Sequence, residues 1–131
     1  CTNLGWADNS SVACFPGTES DMFDGHHLFF ALDEPMGPNS ELSITATPSR
    51  ARTDLSIYAY MMGVNQCLVP PAVGGVLTCE ASYAPFNTTN PGESENVSLN
   101  NPTGNSYNVL IGVAGANGLS SGDFTLSVTE R

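Results

Sequence analysis

Three carboxylates, Glu19, Asp21 and Asp24, stand close together just ahead of two adjacent histidines, His26 and His27. Hard cations are held by several oxygens converging from a flexible segment, which makes these acids candidate ligands. Their spacing is not that of a regular calcium loop, and solvated surface acids are the ordinary alternative. His26 and His27 are poorly placed to share one ion, because neighbours in a strand point to opposite faces; they read as strand-edge histidines. Ser, His and Asp all occur, yet no Gly-x-Ser-x-Gly elbow or other nucleophile motif accompanies them, so the sequence reads as a non-enzyme. Further along, Tyr58, Tyr60 and Met62 alternate on one side of a single run. Facing outward, they would expose an apolar strip suited to a sugar ring or a protein partner, unless a second layer or the Cys67 to Cys79 segment covers them.

Cys1, Cys14, Cys67 and Cys79 make an even count in a chain rich in Ser, Thr and Asn, which points to an oxidising compartment. Three pairings are open. Cys1 with Cys14 and Cys67 with Cys79 is preferred, since each pair brackets one local segment. No Cys-x-x-Cys spacing supports a metal site instead. Because no ordinary start codon supplies a cysteine, Cys1 suggests a processed or excised chain, with a lipid-bearing first residue as the alternative to a disulfide.

The elements that must position these residues are strands. At 131 residues the chain has the size of one domain. Hydrophobic residues make up 40% and charged residues 12%, a balance that supports a core and draws its polarity from strand and turn formers. No Lys occurs, and three Arg face 13 Asp and Glu for a formal net charge of -10. A phosphate backbone would meet a like-signed surface, so nucleic acid is not an expected partner. No apolar run is long enough to span a membrane as a helix.

Alternation locates the strands. His26 to Leu32 is apolar and aromatic, and Met36 to Ser40 turns the chain. Glu41 to Thr47 places Leu42, Ile44 and Ala46 on one side. Asp54 to Met62 places Leu55, Ile57, Ala59 and Met61 inward. Val76 to Tyr83 and Glu93 to Leu99 read as further strands, with a turn cluster at Asn100 to Asn105. Tyr107, Val109, Ile111 and Val113 share a face, as do Phe124, Leu126 and Val128; with the Gly- and Ser-rich loop between them, they read as a closing antiparallel hairpin. Cys1 to Phe23 reads as a disulfide-held strap with an edge strand around Leu4 to Ala7, and residues 24 to 131 as the sandwich domain. Strands about every ten residues, with turn chemistry between them and no helical segment, predict an antiparallel β-sandwich.

The order of Leu28 to Leu32, Leu42 to Thr47, Asp54-Leu-Ser-Ile-Tyr58, Val97-Ser-Leu99, Pro102-Thr-Gly104, Tyr107 to Ile111 and Ser121 to Val128 resembles the bacterial pre-peptidase C-terminal (PPC) domain over about Asp24 to Val128. The Cys67 to Cys79 excursion looks like an insertion of the kind seen in some secreted members. The resemblance implies a single-domain, jelly-roll-like, all-β sandwich that is secreted or displayed on the bacterial cell surface and is not catalytic. Some members of that family resemble collagen- or polysaccharide-binding modules, and some bind calcium near the N-terminal strand. Here that location falls at Glu19, Asp21 and Asp24, with Asp54 as the distant contributor. Ser56 stands where the family commonly has a second Asp, so any role of that carboxylate has no counterpart.

The expected function is therefore a secreted accessory or adhesion module that binds an extracellular polysaccharide or protein, with calcium as its one candidate ion. The alternative is a structural protomer, binding copies of itself in a filament, pilus or surface layer; the absence of edge-protecting Lys favours that arrangement. Asn9, Asn87 and Asn96 head glycosylation sequons, which so Asn- and Thr-rich a chain produces by chance.

Overall fold

The computed structural model describes residues 2–3, 23–63, 68, 76–79, 91–116 and 118–131. Among the described residues eight strands run in chain order: β1 (Thr2–Asn3), β2 (His26–Ala31), β3 (Ser40–Pro48), β4 (Leu55–Gly63), β5 (Leu77–Cys79), β6 (Glu95–Asn101), β7 (Asn108–Gly115) and β8 (Phe124–Glu130). They form a five-stranded sheet in the order β1-β2-β7-β4-β5 and a three-stranded sheet in the order β6-β3-β8. Every strand pair is antiparallel. The chain is a single-domain β-sandwich.

Alternation builds the layer between the sheets. β3 contributes Leu42, Ile44 and Ala46, β4 contributes Leu55, Ile57, Ala59 and Met61, β6 contributes Val97 and Leu99, and β7 contributes Val109, Ile111 and Val113. Phe124, Leu126 and Val128 of β8 pack against this core from its border and stay partly exposed.

A second apolar cluster lies on the opposite face of the five-stranded sheet. It holds Phe23, Tyr58, Tyr60, Met62, Cys79, Leu110 and Ala114, with Leu68 and Leu77 packed against it. β4 is consequently buried on both faces, as suits a strand flanked by β7 and β5. Phe23, read in the sequence as the end of the strap, is fully buried in this cluster.

One expectation is corrected. The Tyr107 to Val128 region is not a hairpin: β7 lies between β2 and β4, whereas β8 pairs with β3 in the other sheet. Both strands have an apolar inner face, and the connection from Ala116 to Asp123 carries the chain from one sheet to the other. The strand expected over Val76 to Tyr83 is described only at Leu77–Cys79. The edge strand expected around Leu4 to Ala7 lies outside the described residues; Thr2–Asn3 pairs with His26 and His27.

One polar residue ties the turns at one end together. Asn101 is fully buried and donates from Nδ2 to the carbonyls of Gly37 and Asn105, at 2.7 and 2.8 Å. Its Oδ1 accepts from the Thr103 backbone N–H and hydroxyl. Asn39 takes a positive φ of 52° in the neighbouring turn, a conformation Asn tolerates better than most residues.

Candidate functional site

The polar residues best equipped for chemistry meet at the outer face of the five-stranded sheet. Register places His27, Ala114 and Ser56 in one row across β2, β7 and β4, and Phe29, Gly112 and Tyr58 in the next. Gly112 opens the space for a ring: a Cβ there would lie 2.1 Å from the Tyr58 Cζ. Tyr58 thus lies over β7 and reaches β2, where its hydroxyl is 3.0 Å from His27 Nδ1. His27 Nε2 is 2.7 Å from the Phe23 carbonyl.

Donor and acceptor roles follow from chemistry. A carbonyl only accepts, so Nε2 carries the hydrogen; in the neutral ring Nδ1 is then the acceptor and the Tyr58 hydroxyl donates to it. Burial holds the His27 pKa below its ordinary value, partly opposed by the bond to the Phe23 carbonyl, so the neutral form is the one the fold accommodates. Desolvation, with a smaller contribution from the neighbouring Tyr60, pushes the Tyr58 hydroxyl far above the ordinary tyrosine range. Phe23 meets the Tyr58 ring edge to face at 5.7 Å, and Tyr60 lies parallel to Tyr58 at 6.5 Å. The Tyr60 hydroxyl donates to the Leu68 carbonyl at 2.7 Å.

This geometry corrects the reading of Tyr58, Tyr60 and Met62 as an outward binding strip. Both tyrosines are 0% exposed and Met62 is buried beside them, because this face of the sheet carries its own apolar cluster. His27 is likewise no edge residue: it is 1% exposed, whereas His26, on the other face, is open to solvent. Nothing in the sequence distinguishes the two. Ser56 is fully buried in the same row, and its Oγ has no hydrogen-bond partner among the described residues. Glu95, also missed by sequence reasoning, is buried on the inner side of β6 opposite Ala46.

Of the carboxylates considered for calcium, Glu19 and Asp21 lie outside the described residues. The Asp24 carboxylate accepts the backbone N–H of Gly118. Asp54 is half-buried, and desolvation raises its pKa; its carbonyl accepts from the Ala116 N–H at 3.1 Å. Both residues therefore hold the loop after β7, one through its side chain and one through its backbone. Among the described residues no group of three or more His, Cys, Asp and Glu is placed to hold a metal ion. Cys79 is buried, and Cys1, Cys14 and Cys67 lie outside the described residues.

The three-stranded sheet presents a different surface. Its outer face carries Ser43, Thr45 and Thr47 on β3, flanked in register by Ser98 and Asn96 on β6 and by Thr129, Ser127 and Thr125 on β8. Asn96 Nδ2 donates to Thr45 Oγ1 at 2.7 Å and to the Ile44 carbonyl at 3.2 Å. Thr47 and Ser94 share a hydroxyl bond of 2.8 Å. The result is a hydrogen-bonding face of hydroxyls and amides whose charges, Glu41 and Arg131 at one end, sit 3.9 Å apart as an ion pair.

Compared with known proteins, the chain matches no family model, no curated protein and no solved structure.

Proposed function

We propose that this chain is a secreted or cell-surface bacterial module of the PPC type that binds an extracellular polysaccharide or protein and carries no catalytic centre. One contrast supports the reading. The His27, Tyr58 and Ser56 side chains are packed into the core, while the Ser, Thr and Asn face of the three-stranded sheet is open to solvent and carries, among the described residues, only the Glu41–Arg131 ion pair at one end. A hydroxyl-rich face offers hydrogen bonds to a neutral polymer at a smaller desolvation cost than charges.

Adsorption to insoluble cellulose, chitin and fibrillar collagen tests the proposal. Depletion of the protein from solution by at least one of these, reversed by Thr45→Lys or Ser127→Glu on the open face, is the expected result. No depletion by any of them would contradict it. A second reading, a structural protomer of an extracellular filament or layer, draws on the Lys-free strand β8 at a sheet border. The particle mass in solution separates the two. Calcium near Asp24 belongs to the same resemblance and has its own test below.

A further inference from the structure

β8 is the outermost strand of its sheet among the described residues. β3 pairs with it residue for residue, from Leu42 opposite Glu130 to Pro48 opposite Phe124, on one side only. Arg131 and Glu41 exchange both backbone hydrogen bonds, at 2.9 Å, which sets the phase of the ladder. Odd-numbered residues of β8 therefore turn their N–H and C=O groups toward β3, and Phe124, Leu126, Val128 and Glu130 turn theirs to the open edge. No Pro, Lys or register shift protects that edge.

The two borders of this sheet are covered unequally. On β6 the inward residues Glu95, Val97 and Leu99 are buried, whereas on β8 Phe124, Leu126 and Val128 are only partly so. β8 lies over β2, where the Phe124 and Phe30 rings meet edge to face at 6.1 Å. Leu28 is 38% exposed on that strand. Leu28, Leu55, Val113, Leu119 and Phe124 line a largely apolar cavity of about 90 Å³ there. It has room for an aliphatic side chain. Among the described residues no strand covers this side of the sandwich.

We propose that the β8 edge docks an extended polypeptide segment of a partner protein, which adds as a fourth strand to the β6-β3-β8 sheet and seats an aliphatic side chain in the cavity beside Leu28 and Phe124. The proposal rests on the binding-module reading and specifies its protein partner. Charge sets the chemistry of that segment. The chain carries a net charge of -10, and Asp123 and Glu130 lie at the ends of the edge, where the cation Arg131 is already ion-paired with Glu41 of β3, so the segment is cationic at its solvent-facing positions and aliphatic at alternate ones. A second copy fits poorly, because two chains of this charge repel and neither has a Lys to offer.

The probe is a synthetic peptide of roughly ten residues, long enough to span β8, alternating Val or Ile with Lys or Thr. A scrambled peptide of the same composition is the control. Hydrogen exchange in the protein is expected to slow at least ~10-fold at the amides of Phe124, Leu126, Val128 and Glu130, with Thr125, Ser127 and Thr129 unaffected. Leu28→Lys, a change at an exposed position, is expected to weaken binding at least ~10-fold through its charge in the slot. Unchanged exchange at the four amides, an equal response to the scrambled peptide, or binding that ignores Leu28→Lys overturns the proposal. Protection of the same amides in the protein alone that fades on dilution places a second copy on the edge and overturns it as well. Polymer adsorption that persists in Leu28→Lys while the peptide fails leaves the binding-module reading standing without this site.

Discussion

At the scale of single residues, the fold holds His27 in one protonation state. Its folded pKa lies below the unfolded value, so between those two values the unfolded chain binds more protons and stability rises with pH. Urea unfolding is therefore expected to show stability falling as the pH drops below about 6.5, the unperturbed histidine value. His27→Gln should remove that slope, and a slope that survived the substitution would assign the titration elsewhere. Gly112→Ala places a methyl against the buried Tyr58 ring and should cost about 1 to 3 kcal/mol, read from the same unfolding curves. Asp24→Asn weakens the bond to Gly118 and should lower stability by about 1 kcal/mol whether or not calcium is present. A loss that appeared only in calcium would make Asp24 a ligand instead.

At the scale of elements, β3 and β6 were legible because one face of each is buried and the other is solvated, which writes a period of two into the sequence. β4 is legible for the same reason, but its second face admits two readings, an exposed strip or a covered one. A strand buried on both sides has no polar phase to announce it, and Tyr58 and Tyr60 carry hydroxyls that suit either water or a buried partner. The destination of β8 was illegible for a different reason. Alternation tells which side of a strand is apolar, and an inner face of one sheet looks the same as an inner face of the other. The turns were found by composition, yet nothing singled out Asn101 from Asn100. Asn101→Ala should cost about 2 to 3 kcal/mol by leaving the Gly37 and Asn105 carbonyls and the Thr103 donors short of a partner. Non-reducing peptide mapping is expected to find the buried Cys79 joined to Cys67; a bridge to Cys1 or Cys14 would contradict that pairing.

At the scale of the whole molecule, two apolar layers share the five-stranded sheet, and the three-stranded sheet covers only one of them. The molecule is thus asymmetric in what it can offer. One side uses its aromatic and titratable residues in packing, and the other presents a hydroxyl-rich face and, among the described residues, an open edge. A net charge of -10 opposes self-association in dilute salt. The measurement that bears most directly on this account is the mass of the native particle by light scattering, with electron micrographs of the same sample. A monomer of 13.7 kDa that stays monomeric as concentration is raised is the expected result. Ordered polymers would contradict it and make the chain a structural protomer.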